Sequence, residues 1–343
     1  MASDAGGADG SGDGSGTTGA SAAGGVGAPL SAPVTITWEV TLGCNLHCDH
    51  CLSGSGPGMQ RPEELTTEEA MEFIAELDEM DVFQVNIGGG EPFVRPDMLD
   101  LLEELTDRDI STCVSTNGTQ LDETTLDRIE AMDPLFLQVS MDGLRAENDA
   151  IRGEGVYDQV VDALERLEDR DIGTTVNTVV TRQNVADLTE IYDLAEAHGA
   201  GLRLNRFRPS GRGEDAWDEF RLEEDQIRFL HEWLDGKGDV RTGDSFFYLN
   251  ALGEVRNNTL KQCGAGSMTC LVDPVGDVYP CAFTQWEHLA SGNVKTDGFQ
   301  AAWDEIASLR SRIDDHEGCP AVAMGSSDPN GEDPQLRAIL SGD

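Results

Sequence analysis

The sequence predicts an α/β fold: a partial (β/α)6 barrel of TIM type followed by a small C-terminal module. Two observations carry that reading. From Pro33 onward, short β-branched or apolar runs alternate with longer stretches whose apolar residues recur every three or four positions, the pattern of repeated βα units on a parallel sheet. Polar or glycine-rich motifs then follow these runs in turn, and in βα barrels chemistry gathers at the carboxyl ends of the strands.

The predicted strands are residues 35–41, 82–87, 111–115, 136–140, 174–180 and 202–206, each rich in Val, Ile, Thr or Phe. The first helix is read from Met71, Ile74, Ala75 and Leu77, with Thr67 after Pro62 as its start. CNLHCDHC follows the first strand, GGGEP the second, STNG the third, SMDG the fourth and RPSGRG the last. A helix around residues 223–233 ends this unit, read as residues 33–240. The stretch 241–343, richer in Gly and Pro and holding four more cysteines, is read as a second module.

Residues 1–32 are almost all Gly, Ala, Ser, Asp and Thr, too few apolar groups to offset the entropy of ordering, and are expected to be a disordered acidic tail. No cationic stretch precedes an apolar one there, and no apolar run reaches 18 residues, so a cytoplasmic, membrane-free protein is expected. Acidic residues outnumber basic ones 65 to 23, for a net charge of −42. Such a surface repels phosphate backbones and anionic lipid, which excludes nucleic acid and membrane surfaces as partners. The charge resembles that of proteins working in molar salt, where the Debye length is about 3 Å. Acidic helix faces such as Glu68, Glu69, Glu72 and Glu76 are accordingly read as solvation. The 8 cysteines suit a reducing compartment better as metal ligands than as disulfides.

Cys44, Cys48 and Cys51 stand so that three thiolates can converge. A closed zinc site would need His47 or His50 as a fourth ligand. An iron–sulfur cluster normally takes four thiolates, so three on one loop leave one iron open to a small molecule. The CX3CX2C spacing, with Gly43 before it and Asn45 inside it, is similar to that of the radical S-adenosylmethionine (SAM) superfamily. The resemblance implies a [4Fe-4S] cluster on these cysteines, SAM chelated at its open iron, and reductive cleavage of SAM to a 5'-deoxyadenosyl radical that abstracts hydrogen.

Further residues enter through that resemblance. Gly88, Gly89, Gly90 and Glu91 match the family's methionine-binding motif, whose backbone carbonyls would accept from the SAM ammonium; a tight turn is the plain alternative. Ser140 and Asn177 match levels where polar SAM contacts lie, whereas Asp142 with Gly143 also reads as turn chemistry. Arg152 is a weaker candidate for the methionine carboxylate. Cys263 and Cys281 fit C-x12-G-x4-C through Gly276, similar to the opening of SPASM and twitch auxiliary domains. With Cys270 and Cys319 they would close one auxiliary [4Fe-4S] cluster, and the cysteines of a second are absent from the sequence. Cys113 reads as buried core.

Arg203, Arg206, Arg208 and Arg212 crowd into ten residues. They suit either a carboxylate clamp or local charge balance. TWEVTLGCNLHCDHCLS, VFQVNIGGGEP, RFRPSGRG, TGDSFFYL and CGAGSMTCLVDPVGDVYPCAF resemble the mycofactocin maturase family. That resemblance implies oxidative decarboxylation and cyclisation of a C-terminal Val-Tyr on a small precursor peptide, a peptide-recognition chaperone, and a reductant such as ferredoxin or flavodoxin. Other radical SAM chemistry, in haem biosynthesis or another peptide-derived redox cofactor, is the alternative within the class. A non-catalytic electron-transfer or peptide-binding protein is the alternative outside it, and would need neither an open iron nor a SAM cradle.

Overall fold

The computed structural model describes residues 30–253, 263–313, 318–325 and 332–341. The expected tail lies outside these residues up to position 29. Leu30 and Ser31, placed in that tail by the sequence, instead accept hydrogen bonds at their carbonyls from Trp303 and Gln300.

The first half of the chain is a run of βα units: β1 (Thr35–Glu39), α1 (Thr67–Glu79), β2 (Gln84–Gly88), α2 (Met98–Asp107), β3 (Ser111–Thr116), α3 (Glu123–Ile129) and β4 (Leu135–Ser140). It continues through α4 (Arg145–Arg152), α5 (Val156–Leu167), β5 (Gly173–Val180), α6 (Leu188–Ala197) and β6 (Gly201–Arg206). Two short turns, α7 (Arg212–Asp215) and α8 (Trp217–Phe220), lead to α9 (Glu224–Asp235) and β7 (Arg241–Thr242). β1 to β7 pair in order, all in parallel. Helix α1 begins one residue after Thr66, whose hydroxyl accepts from Glu69 N while the Glu69 carboxylate accepts from Thr66 N, a reciprocal cap on two otherwise unpaired donors.

The C-terminal region continues this sheet. β8 (Thr269–Val272) lies parallel to β1 on its free side, β9 (Asp277–Tyr279) returns antiparallel, and β10 (Gly292–Asn293) ends the sheet. Helices α10 (Phe299–Ile313), α11 (Pro320–Gly325) and α12 (Pro334–Leu340) follow. The expected second module is thus joined to the first through one ten-stranded sheet, order β10-β9-β8-β1-β2-β3-β4-β5-β6-β7.

Alternation along the strands gives that sheet two unlike faces. One carries Ile36, Trp38, Val85, Ile87, Leu137, Val139 and Leu204, all fully buried in the main core. Trp38 meets Phe73 of α1 edge-on at 5.1 Å, and Phe73 meets Phe299 of α10 at 5.4 Å, so one aromatic row seals both halves. Truncating such a ring typically costs about 3–5 kcal/mol. The other face carries Thr37, Glu39, Asn86, Gln138, Ser140, Asn177, Arg203 and Asn205, which line a cavity. Among the described residues no helix is long and apolar enough to cross a membrane.

Candidate functional site

The cavity holds about 560 Å³, within the about 300–1,000 Å³ usual for small-molecule pockets. Cys44, Cys48 and Cys51 line it together with Gly88, Gly89 and Gly90, so the two motifs that follow β1 and β2 meet at one mouth. The thiols are free and part-buried. Burial pushes the Cys48 thiol up to about 11 against the pull of Arg152, with Cys44 and Cys51 near enough to contribute to the rise.

Neighbouring strand ends hold the cysteine loop in place. Gly90 N donates to Thr41 O at 2.7 Å and Glu91 N to Gly43 O at 2.9 Å. A Cβ on Gly90 would stand 1.9 Å from the Gly43 carbonyl oxygen, which only glycine tolerates. At the start of α7, Arg212 donates through Nε to Cys48 O at 2.9 Å and through its backbone N to Cys51 O at 3.0 Å. Gly211, at φ +56°, lets that chain approach; a Cβ there would meet Cys51 O at 2.5 Å. RPSGRG therefore ties the last barrel strand to the loop after the first.

Glu91 differs from its expected place. Its carboxylate is fully buried and accepts from Thr116 Oγ1 at 2.8 Å, Asn117 N at 2.7 Å and Phe93 N at 3.2 Å. Burial pushes it up to about 7 despite these bonds, and its contacts pin GGGEP to STNG beside the cavity. The glycines do line the cavity, and a Cβ on Gly88 would point into open space. Ser140 and Asn177 line it as well, Asn177 accepting from Asn205 at 2.6 Å.

Arg152 is buried and lines the cavity. One oxygen of Asp142 accepts from Arg152 at 2.6 Å and from His50 Nε2 at 2.6 Å. The other accepts from Val179 N at 2.8 Å. Asn184 donates to the Asp142 carbonyl, and Asp142 N donates to Asn148. Burial alone would raise this carboxyl, but Arg152 and His50 overcome it and hold it well below the usual carboxylate range. Asp142 thus joins the cysteine loop, α4 and the ends of β4 and β5. From SMDG, Asp142 reads as a polar strand-end tip or as turn chemistry; its buried pairing with Arg152 and His50 is visible only in the structure.

The four arginines divide. Arg206 is buried in a bidentate pair with Asp333, both contacts 2.7 Å, and lies over the Tyr248 ring. Arg212 serves the cysteine loop. Arg203 and Arg208 line the cavity, Arg208 stacked on Phe283 at 3.6 Å. Among the C-terminal cysteines, Cys281 also lines the cavity, beside Phe283 and Gly264, the neighbour of Cys263. Cys319 sits in a small apolar cluster against which Phe283 packs. Cys270 does not join them: it pairs with Ile36 in register, shares the main core with Ile36 and Trp38, and so faces away from the cavity. Cys113 is buried in β3, and burial pushes it up to about 12.

Glu39, Asn86, Gln138 and Asn205 were missed as lining residues. Their signal is present in the sequence, since polar residues at alternate positions of a parallel strand have no place in a sheet buried by helices on both faces. The donor set suits an iron–sulfur cluster: three free thiols line one cavity together with Gly88, where a Cβ would meet only open space.

A radical SAM superfamily model matches residues 38–195, and an iron–sulfur cluster-binding SPASM model matches residues 263–321. The mycofactocin maturase MftC of Mycobacterium tuberculosis (strain CDC 1551 / Oshkosh) is 46% identical over 280 residues, covering 80% of this chain and 71% of that protein. An AdoMet-dependent heme synthase of Methanosarcina barkeri is 30% identical over 304 residues, covering 82% and 85%. Streptococcus suis SuiB bound to S-adenosylmethionine shares the fold at a TM-score of 0.72 and 16% identity, over 87% of this chain and 76% of that one.

Proposed function

This chain belongs to the radical SAM superfamily as a peptide-modifying enzyme with a SPASM domain, and we propose that it is a maturase acting on the C-terminal Val-Tyr of a short precursor peptide. The observation that carries the reading is the convergence of Cys44, Cys48, Cys51 and Gly88 to Gly90 on one cavity at the strand ends. The SAM-binding cluster and an auxiliary cluster are its cofactors; with SAM bound, the first would supply hydrogen-atom abstraction from the substrate, and the second would accept the electron that oxidative decarboxylation releases.

The residues have separate tasks. Cys44, Cys48 and Cys51 would hold the first cluster. Gly88 to Gly90, Ser140 and Asn177 bound the space for SAM, and Arg152, held by Asp142, sets the field beside Cys48. Arg203 and Arg208 suit the peptide's terminal carboxylate, because guanidinium binds carboxylates in pairs of hydrogen bonds. Cys263, Cys281 and Cys319 are the proposed auxiliary ligands, with Cys270 left in the core.

A separate peptide-recognition protein and a ferredoxin or flavodoxin reductant complete the system, in a cytoplasm rich in salt. A melting temperature unchanged between dilute buffer and molar salt would count against the last point. The heme synthase relative favours a second reading, decarboxylation of haem propionates, for which the same arginines are suited. Anaerobic reaction with SAM, reductant and either a Val-Tyr peptide or an iron porphyrin separates the two. We expect the peptide to lose the mass of carbon dioxide and two hydrogens and the porphyrin to be unchanged; the reverse would overturn the proposal.

A further inference from the structure

Glu39 ends β1, is 2% exposed, and faces the cavity with Thr37 because residues two apart share a face of the sheet. Its Oε1 accepts from Gln285 at 3.3 Å, whereas Oε2 has no hydrogen-bond partner. Burying a polar oxygen without a partner costs stability, so a cavity that keeps one has a use for it when a ligand is present. The charged neighbour acting on Glu39 is a like charge, Asp273, the residue after β8. Asp273 already accepts from Val275 N and Asp277 N. Gln285, from the loop after β9, and the Gly88 and Gly89 backbone add no charge.

Burial first, and Asp273 second, push the Glu39 carboxyl up to about 8. It therefore keeps its proton at neutral pH and has an O–H to donate. The contact with Gln285 ties Oε1 to the loop after β9, in the C-terminal region. Resting on the peptide-modifying function above, we propose that Glu39 is a substrate-positioning residue whose Oε2 donates a hydrogen bond to a backbone carbonyl of the bound peptide.

The test is calorimetric titration of reconstituted holoenzyme, separately with SAM and with a synthetic peptide ending in Val-Tyr, for the wild type, Glu39→Leu and Glu39→Gln. Glu39→Leu should weaken peptide binding about tenfold, about 1.4 kcal/mol, with SAM affinity retained as the sign of an intact fold. Glu39→Gln keeps an N–H donor in place and should stay within about threefold. Wild-type peptide affinity should fall as pH rises through about 8, where Glu39 ionises, and the Glu39→Gln variant should lack that fall. Unchanged peptide affinity in Glu39→Leu, loss of SAM affinity in its place or alongside it, or a Glu39→Gln variant as weak as Glu39→Leu would each overturn the inference. A wild-type protein that binds SAM but no peptide would overturn the functional reading itself, and this inference with it.

Discussion

Asp142, just beyond the end of β4, and Glu39, at the end of β1, are equally buried carboxyl groups on one sheet, yet their surroundings are opposite. Asp142 meets a guanidinium, an imidazole and a backbone N–H, and stays ionised. Glu39 meets one amide and a like charge, and keeps its proton. Burial alone does not decide charge; the partners that share the burial do. The region around Asp142 is a finished scaffold that fixes the cysteine loop. The region around Glu39 leaves one buried carboxyl oxygen without a hydrogen-bond partner.

The largest expected effect is on the loop that this scaffold holds. Replacing Cys44, Cys48 and Cys51 together by Ala should cut iron from about eight per chain to about half, by the ligand count of two four-iron clusters. Iron that disappeared entirely, or did not change, would break the division of cysteines. Next is Asp142→Ala, which strands Arg152 and His50 and should cost about 3–5 kcal/mol in denaturant unfolding. Because the folded Asp142 carboxyl is depressed, its contribution is present above the ordinary carboxylate range and is lost as pH falls below it. A loss under about 1 kcal/mol, the size of an exposed ion pair, would show that the network does not carry the loop.

Glu39 has the opposite sign. With its folded value near 8 against 4.5 unfolded, it destabilises increasingly as pH rises from about 4.5 toward 8. Glu39→Gln should therefore gain about 2 kcal/mol near neutral pH, discounted from the full shift, and nothing near pH 4. Equal gains at both pH values would remove the contrast with Asp142. The smallest effect is expected from Cys270→Ser: unchanged iron content and a stability loss of about 1–3 kcal/mol for a buried hydroxyl without a guaranteed partner. Loss of the auxiliary cluster in that variant would return Cys270 to the ligand set.

Much of the fold was legible because local signals and tertiary pairing agree. β-branched alternation placed β1 to β6 within about two residues of their observed bounds, in the usual range of error for such boundaries. β7, β9 and β10 are two or three residues long and owe their existence to neighbours already in the sheet, so no local pattern announced them. The same distinction runs through the site. Cys44, Cys48, Cys51 and the GGG run are spaced by local chemistry and were visible. Arg206 reads like a ligand clamp until Asp333, 127 residues away, is seen to occupy it. Glu91 sits in the expected motif but spends its carboxylate on the next strand's loop, and Asp142 hides within a turn sequence.

The central claim is that the trio after β1 makes this chain a SAM-cleaving peptide maturase. Its most direct test is 5'-deoxyadenosine measured by mass spectrometry after anaerobic incubation of the reconstituted protein with SAM, reductant and a Val-Tyr peptide, alongside the triple Cys44, Cys48 and Cys51 to Ala variant. The account predicts 5'-deoxyadenosine and a decarboxylated peptide from the wild type and neither from the variant. An iron-loaded wild type that forms no 5'-deoxyadenosine would contradict it.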